Sequence, residues 1–302
     1  MDVLSDAVAA MRTGRPHSAR RDKYAPWGTR FAASEGAGFH VLLRGSAWLI
    51  PAEGEPVALG PGDVVFLAHG RGHALASGLD VPLEDARPSK DGSWPEPPSP
   101  PRESEPDTVM LCGAYQLDRG RTHRLLSELP EVVHLPACVG AHRSLRAAVE
   151  LLGMELEERA PGSDAIVTSL LDTLLLYVLR AWWQRDRKGT GWSAALADPA
   201  VAAALRAIHG DPAHPWTVGE LGAAGGLSRA AFARRFTALV GEPPLAYLTW
   251  WRMTTAGRLL RDEDLPLRQV AERAGYTSEF AFAKAFKREY GVAPGRYRRG
   301  AS

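Results

Sequence analysis

The chain has 302 residues, 45% of them hydrophobic, and a formal net charge of +1. That is enough apolar material for two ordinary domains with their own cores. Only Cys112 and Cys138 occur, so no disulfide framework is implied and a reducing cytoplasm is the natural compartment. The charge is uneven: from Asp198 onward there are 15 basic and 10 acidic residues, while the rest of the chain is net acidic. A basic C-terminal third fits a nucleic-acid module joined to something else, although charge alone decides little.

The opening MDVLSDAVAAMRTGR has an acidic start and no sustained apolar run, unlike a secretory signal. From about Tyr24 to Leu75, FHVLLRGSAWLI and PVALGPGDVVFLAH predict β-strands, with Pro61-Gly62-Asp63 as a turn. Residues 84–107 are proline-rich and polar, and are expected to form a disordered loop within one domain. Strand-like sequence resumes at TVMLCGAYQL. Two helices are predicted next, roughly Ser144 to Arg159 and Ser163 to Lys188. The apolar stripe of the second (Ile166, Leu170, Leu171, Leu174, Leu175, Val178, Leu179, Trp182) is more than one face wide. Core packing and self-association both suit it. Asp172 and Arg180 within it argue for a buried soluble helix over a membrane span. The expected divisions are a domain over 1–190, a linker over 191–197 and a second domain over 198–302. The last opens on Asp198 as a helix cap with Pro199 in first position.

Two helix-turn-helix patterns then occur in tandem: TVGELGAAGGLSRAAFARRF (Thr217 to Phe236) and LRQVAERAGYTSEFAFAKAF (Leu267 to Phe286). In the first, Thr217 and Glu220 form a capping box. Val218, Leu221 and Ala224 are expected to face inward, Gly225-Gly226 to turn, and Ser228 to cap a second helix anchored by Phe232 and Phe236. The scaffold repeats at an offset of 49 up to the turn and 50 after it, which predicts a second turn one residue longer. Pro243-Pro244 begins a connector helix, for which Leu245, Leu248, Leu259 and Leu260 are suited. Opposite the phenylalanines lie Arg229, Ala230, Ala233 and Arg234 in the first unit, and Glu279, Phe280, Ala283 and Lys284 in the second. Ser228 and Ser278 join them at the helix starts. Two recognition helices about 34 Å apart can enter successive major grooves on one face of a duplex. Arginine or lysine then suits guanine, glutamate the cytosine amino group, and small or apolar side chains the thymine methyl.

This stretch, Asp198 to about Arg299, resembles the AraC/XylS family of bacterial transcription regulators, most specifically in AGYTSEFAFAKAFKREYGVAPGRYR. The resemblance implies a seven-helix domain and carries base contact to the positions just named. The alanines at 230 and 233 leave the first head resting on Arg229 and Arg234. Gly219 and Gly222 each cost its first helix roughly 1 kcal/mol relative to alanine.

GFHVLLRGSAWLI, LGPGDVVFLAHGRGHAL, TVMLCGAYQLD and LLSELPEVVHLP resemble the cupin-type sensor of a subgroup of that family. This implies a small β-barrel followed by helices that commonly dimerise. His40, His73 and Cys112 fall on or beside three of its strands, and imidazole and thiolate suit Zn or another divalent metal. The plainer alternative is three structural side chains. An enzymatic metal cupin would want a His-x-His pair, and Leu42 stands where the second histidine would be.

The expected whole is an α+β chain of two domains: a cupin-like β-barrel with trailing helices, and an all-α domain with two helix-turn-helix units. Its expected role is sequence-specific DNA-binding regulation in response to a small molecule, a metal or an oxidative signal, without catalysis. Double-stranded DNA, a second copy of the chain, an unknown effector and RNA polymerase are the candidate partners. The alternatives are a metal-dependent cupin enzyme fused to a DNA-binding tail, and a constitutive DNA-binding protein whose barrel is only a scaffold.

Overall fold

A computed structural model of the protein describes residues 2–11, 14, 16–34, 36–86, 105–117, 124–137, 141–158, 160–185 and 191–300. They fall into two compact units that interleave along the chain. One comprises residues 14–119 and 129–186; the other comprises 1–13, 120–128 and 187–302. The expected division at residue 190 therefore differs from the structure at two places upstream. The N-terminal helix α1 (Val3–Met11) and the short α2 (Arg124–Ser127) both belong with the C-terminal unit.

The β unit is built from two five-stranded sheets. Its strands in chain order are β1 (His17–Lys23), β2 (Gly28–Phe31), β3 (Ala37–Arg44), β4 (Ala47–Pro51) and β5 (Val57–Leu59). They continue with β6 (Val64–Leu67), β7 (His73–Ala76), β8 (Glu84–Ala86), β9 (Thr108–Tyr115) and β10 (Val132–Leu135). The first sheet runs β1-β9-β3-β6-β10 and the second β5-β4-β7-β2-β8. Period-two alternation assigns each sheet an inner face. Leu42, Val65, Leu67 and Met110 of the first meet Leu49, Leu59 and Leu75 of the second in one buried cluster. On the other face of the first sheet, Phe39, Val41, Phe66, Leu111 and Tyr115 are also buried. Tyr115 there donates its hydroxyl to the Leu171 carbonyl at 2.8 Å. The predicted turn forms, with Gly62 at φ 86°. The buried Asp63 closes it by accepting from Gly60 N, and ties it to β10 by accepting from Ala137 N and facing His134 Nε2.

Helices α3 (Arg143–Glu158) and α4 (Ser163–Arg185) complete this unit. By length and composition α4 could cross a membrane, but Leu171, Leu174, Leu175, Val178, Leu179 and Ala181 are buried against α3 and the first sheet. Of the expected loop at 84–107, Glu84–Ala86 is instead strand β8, paired in parallel with β2. Residues 87–104 lie outside the described set.

In the helical unit, residues 191–197 are not a linker. They form α5 (Gly191–Ala197), whose Trp192 and Ala195 are fully buried, and α5 packs on α6 (Pro199–Gly210) and α8 (Arg229–Val240). Tryptophan is a poor linker residue because its large apolar surface seeks burial. The remaining elements are α7 (Val218–Ala224), α9 (Pro244–Asp262), α10 (Leu267–Arg273), α11 (Glu279–Tyr290) and α12 (Pro294–Gly300). From α6 to α12 these are the seven helices that the resemblance implied. Asp198 caps α6 as expected, accepting from Ala200 N and Val201 N, and also grips Arg235 of α8. Helix α1 lays Leu4, Ala7 and Val8 against α6 and α9. Its Asp6 faces the buried His209, which stacks on Trp251 and shares a 2.6 Å hydrogen bond with the Tyr247 hydroxyl.

The first helix-turn-helix touches α6 through a glycine. A Cβ at Gly225 would stand 2.6 Å from both Cα and Cβ of Ala200. Gly225→Ala should therefore destabilise the helical unit by about 1–3 kcal/mol, the usual cost of overpacking. Denaturant unfolding of the full chain, followed by tryptophan fluorescence, checks this. An unchanged midpoint would mean that α6 yields freely.

Candidate DNA-reading heads and a sensor cavity

The two heads share one design, down to the hydrogen bonds of the turn and of the second helix's start, although Thr217 caps α7 and Pro266 gives α10 no side-chain cap. Helices α7 and α10 are both seven residues long, and α8 and α11 are both twelve. The intervening turn is one residue longer in the second copy, as the offsets of 49 and 50 required. Gly226 and Gly275 take φ of 69° and 77°, the left-handed region that disfavours side chains. Each lets the next amide reach back into the helix: Leu227 N to Gly222 O and Tyr276 N to Ala271 O, both at 2.9 Å. Ser228 and Ser278 cap the second helices through Ala231 N and Ala281 N. Gly241 and Gly291 end them in the left-handed region.

The capping box forms as expected, with Glu220 accepting from Thr217 N and Thr217 Oγ1 accepting from Glu220 N. Donation to the carboxylate from Thr217 N, and from Thr217 Oγ1, holds Glu220 below its ordinary range. The inward set of α7 differs from expectation. Ala224 is exposed, and Gly222 is buried beside Leu221. A Cβ at Gly222 would come within 3.0 Å of Leu227 O and 3.1 Å of Phe232 Cβ. The glycine that costs helix propensity is what lets α7 approach α8 closely.

Phe232 and Phe236 are fully buried with ring centroids 5.5 Å apart, and Phe282 and Phe286 repeat this at 5.6 Å. Helix α9 carries both units. Its Tyr247, Leu248 and Trp251 are buried in the first half, and Met253, Ala256, Leu259 and Leu260 join the Phe282–Phe286 cluster. Leu245, one of the leucines that suited the connector, is 42% exposed. At 19 residues α9 spans about 28 Å, so it sets a separation of the right order for successive grooves.

With one face fixed, the opposite face of each second helix is open. Ser228, Arg229, Ala230 and Arg234 are exposed on α8, and Ser278, Glu279, Phe280 and Lys284 on α11; Ala233 and Ala283 are half-buried. Phe280 is 80% exposed, an apolar ring held in water at the start of a helix. Arg235, adjacent to Arg234, is occupied by Asp198 and belongs to the scaffold.

In the β unit, His40, His73 and Cys112 do come together. Cys112 pairs with His40 across β9 and β3, and all three side chains enter a cavity of about 670 Å³. His40 Nδ1 is 3.0 Å from Cys112 Sγ, and His40 Nε2 is 2.7 Å from His73 Nε2. Phe31 stacks on the His73 ring at 4.8 Å. Burial, with His73 adding to it, holds His40 well below the ordinary histidine range. Burial also lowers His73 to about 4, against a smaller opposing contribution from the Arg71 backbone. Both rings are thus neutral at pH 7, and one must donate to the other.

This is a hydrogen-bonded row rather than a converging ligand set. His40 sits between the other two and uses both edges of its ring. Among the described residues no three His, Cys, Asp or Glu side chains are placed to hold a metal ion. Leu42, on the same inward face as His40, is buried in the apolar cluster. Strand β1 went unread in the sequence, yet it lines this cavity with His17, Ala19, Arg21 and Lys23. HSARRDK is too polar to signal a strand, and only its alternation of Ala19, Arg21 and Lys23 hints at one.

A barrel with an internal site and a helical unit with two reading heads together define a DNA-binding transcription regulator. The cupin family matches residues 2–184, and a helix-turn-helix domain family matches residues 221–300. The chain is 36% identical to a putative AraC-like transcription regulator of Streptomyces antibioticus, over 99% of each chain. It is 30% identical to the RCS-specific HTH-type transcriptional activator RclR of Escherichia coli K12, over 92% of this chain and 91% of that one. The solved DNA-binding domain of AdpA, in complex with a target DNA, is 34% identical and covers 34% of this chain and 92% of its own, with a TM-score of 0.32. The chain belongs to the AraC family of transcription regulators.

Arg234→Ala should weaken specific DNA binding by about 1–3 kcal/mol and relax the preference at one base pair, as read by competition binding. Unchanged affinity and footprint would remove Arg234 from the reading surface.

Acid should loosen the barrel. An unfolded histidine titrates near 6.5, whereas folded His73 titrates at about 4. The unfolded chain therefore takes up protons first on acidification. Stability from the neutral ring is complete above about pH 6.5 and is lost as the pH falls toward 4. His73→Gln should flatten the decline of the melting temperature across that window, measured by calorimetry on the full chain.

Proposed function

We propose that this regulator reads a signal in its barrel and couples it to operator DNA in the cytoplasm. The observation that supports sensing is the cavity itself. A barrel serving only as a scaffold gains stability from a filled apolar core. This one instead keeps a wide space and buries a His40–His73–Cys112 row beside it. Buried polar rows are costly unless fully satisfied. The signal classes that suit it are a small apolar molecule or a reagent of the thiol. A metal at His73 and Cys112 would require His40 to leave the row; metal analysis of the purified protein tests that reading directly. The enzyme alternative is disfavoured by Leu42, where a second histidine would stand, and by the lack of a converging ligand set among the described residues. No catalytic role is proposed.

For the DNA, the exposed sets Ser228, Arg229, Ala230, Ala233, Arg234 and Ser278, Glu279, Phe280, Ala283, Lys284 are the proposed contacts. Arg229, Arg234 and Lys284 would supply phosphate and guanine contacts, and Glu279 and Phe280 a cytosine and a thymine methyl. The serines contribute mainly by fixing the helix starts. A homodimer is proposed through α3 and α4, where Leu151, Met154 and Ile166 are 51%, 55% and 43% exposed. RNA polymerase is the proposed downstream partner when the protein is bound beside a promoter.

Footprinting of genomic fragments, with binding measured across salt concentrations, tests the central reading. The affinity should fall steeply with salt as phosphate contacts release counterions, and two patches one helical turn apart should be protected per subunit. A flat salt response would argue against it. Leu151→Glu with Met154→Glu should convert the dimer to monomer in sedimentation velocity, leaving the fold unchanged by circular dichroism.

A further inference from the structure

We propose that Cys112 is a covalent capture site for α,β-unsaturated carbonyl compounds bearing an apolar tail, with His40 and His73 moving the proton. The proposal rests on reading the barrel as the sensing cavity, and it names the ligand class.

Three observations carry it. Cys112 is a half-buried cysteine on the cavity wall, so a molecule inside can reach its sulfur. The His40 Nδ1 at 3.0 Å is a base within hydrogen-bond reach, and His40 Nε2 passes on to His73 Nε2 at 2.7 Å. The wall beyond the thiol has an aliphatic and aromatic part, with Trp27, Phe31, Leu67, Leu75 and Met110, and a charged part, with Arg21, Lys23, Arg71, Glu84 and Asp85. Among the described residues no ligand set converges on a metal cation, and the apolar part of the wall gives a hydrocarbon tail a place to leave water. A soft carbon electrophile with a hydrocarbon tail satisfies both the thiol and the wall.

The step balances without any oxidant. The thiol proton passes to His40 Nδ1 as the sulfur lone pair attacks the β-carbon. A sulfur–carbon bond forms and the carbon–carbon π pair moves toward the carbonyl oxygen as an enolate. His40 can hand its Nε2 proton to His73 Nε2, and because burial lowers both rings the charge does not stay on the row. Arg21, one inward position along β1 from the residue facing Cys112, lies on the wall where that enolate charge develops. Return of the proton to the α-carbon completes a simple addition, with nothing lost. The adduct then fills the cavity and removes Cys112 from the row, which changes the hydrogen bonding of β3 and β7.

The test exposes full-length protein to trans-2-nonenal or to acrolein, with intact mass and peptide mapping followed over time. Acrolein, lacking a tail, reacts faster with a plain thiol such as glutathione, which serves as the reference. The protein should reverse that order by at least about tenfold, because the tail is buried on binding. It should gain one adduct per chain, at Cys112, at a rate that saturates with nonenal. His40→Gln should slow addition by about a hundredfold, the usual contribution of a positioned base, while Cys112→Ser abolishes it. Acrolein reacting first as with glutathione, adducts at Cys138 alone, or oxidation of Cys112 by hypochlorite without any nonenal adduct would each overturn the proposal. Operator binding is measured in parallel. A change with some other compound but no nonenal capture overturns capture and leaves sensing intact. Capture at Cys112 with operator binding and transcription unaffected upholds capture and overturns sensing.

Discussion

A helix can offer its outer face to DNA only if its inner face is fixed, and here paired phenylalanines do the fixing. Phe232, Phe236, Phe282 and Phe286 are all fully buried. Each contributes about 1.5–3 kcal/mol through removal of its ring from water. The four rings hold α8 and α11 in one orientation, and with the rest of each core they keep the heads seated on the two halves of α9. Two closely packed glycines answer to the same constraint. Gly222 and Gly225 exist where a methyl group would push α7 and its turn away from Phe232 and Ala200. The exposed residues are then placed by default, including the solvent-held Phe280.

The barrel works by the opposite principle. Its far half is packed by Leu42, Leu49, Leu59 and Val65, while the half bounded by β1, β2 and β8 stays open. The edge strands make this possible. Strands β1 and β8 each end a sheet, and their inward residues are long or polar instead of branched and apolar. Neutral imidazoles beside a thiol thus share one cavity with an apolar wall and with the charged side chains of Arg21 and Lys23. Helix α1, next in sequence to β1, belongs to the helical unit, so a cavity-lining strand and a helix packed on the DNA-binding core are joined by only a few residues.

Much of the helical unit was legible because its signals are local. Capping side chains, glycine turns and phenylalanine spacing each act within one or two turns of chain, and the one-residue difference between the heads could be counted directly. Ala224 was placed inward and Gly222 was not, for a non-local reason: α7 is short, and which side of it faces inward depends on how closely α8 approaches. Trp192 was missed as core because a seven-residue helix after a Gly-Thr-Gly stretch reads as a hinge until its neighbours are known. In the barrel, His40 and Cys112 were found as candidates by residue type and strand pattern. Strand β1 was not found, because an edge strand beside a cavity lacks the apolar alternation that burial imposes.

By itself the sequence determined the family, the two reading heads with their unequal exposed residues, and the presence of a β-rich domain ahead of them. These follow from local backbone preferences and from periodicity, which one chain segment can express alone. Only the tertiary structure decided that α1 joins the helical unit, that Asp198 binds Arg235 and leaves Arg234 to face solvent, and that His40, His73 and Cys112 form a row in a cavity. Those outcomes depend on which strands and helices become neighbours. A cavity in particular is space that side chains from distant segments do not fill, and no single segment encodes it.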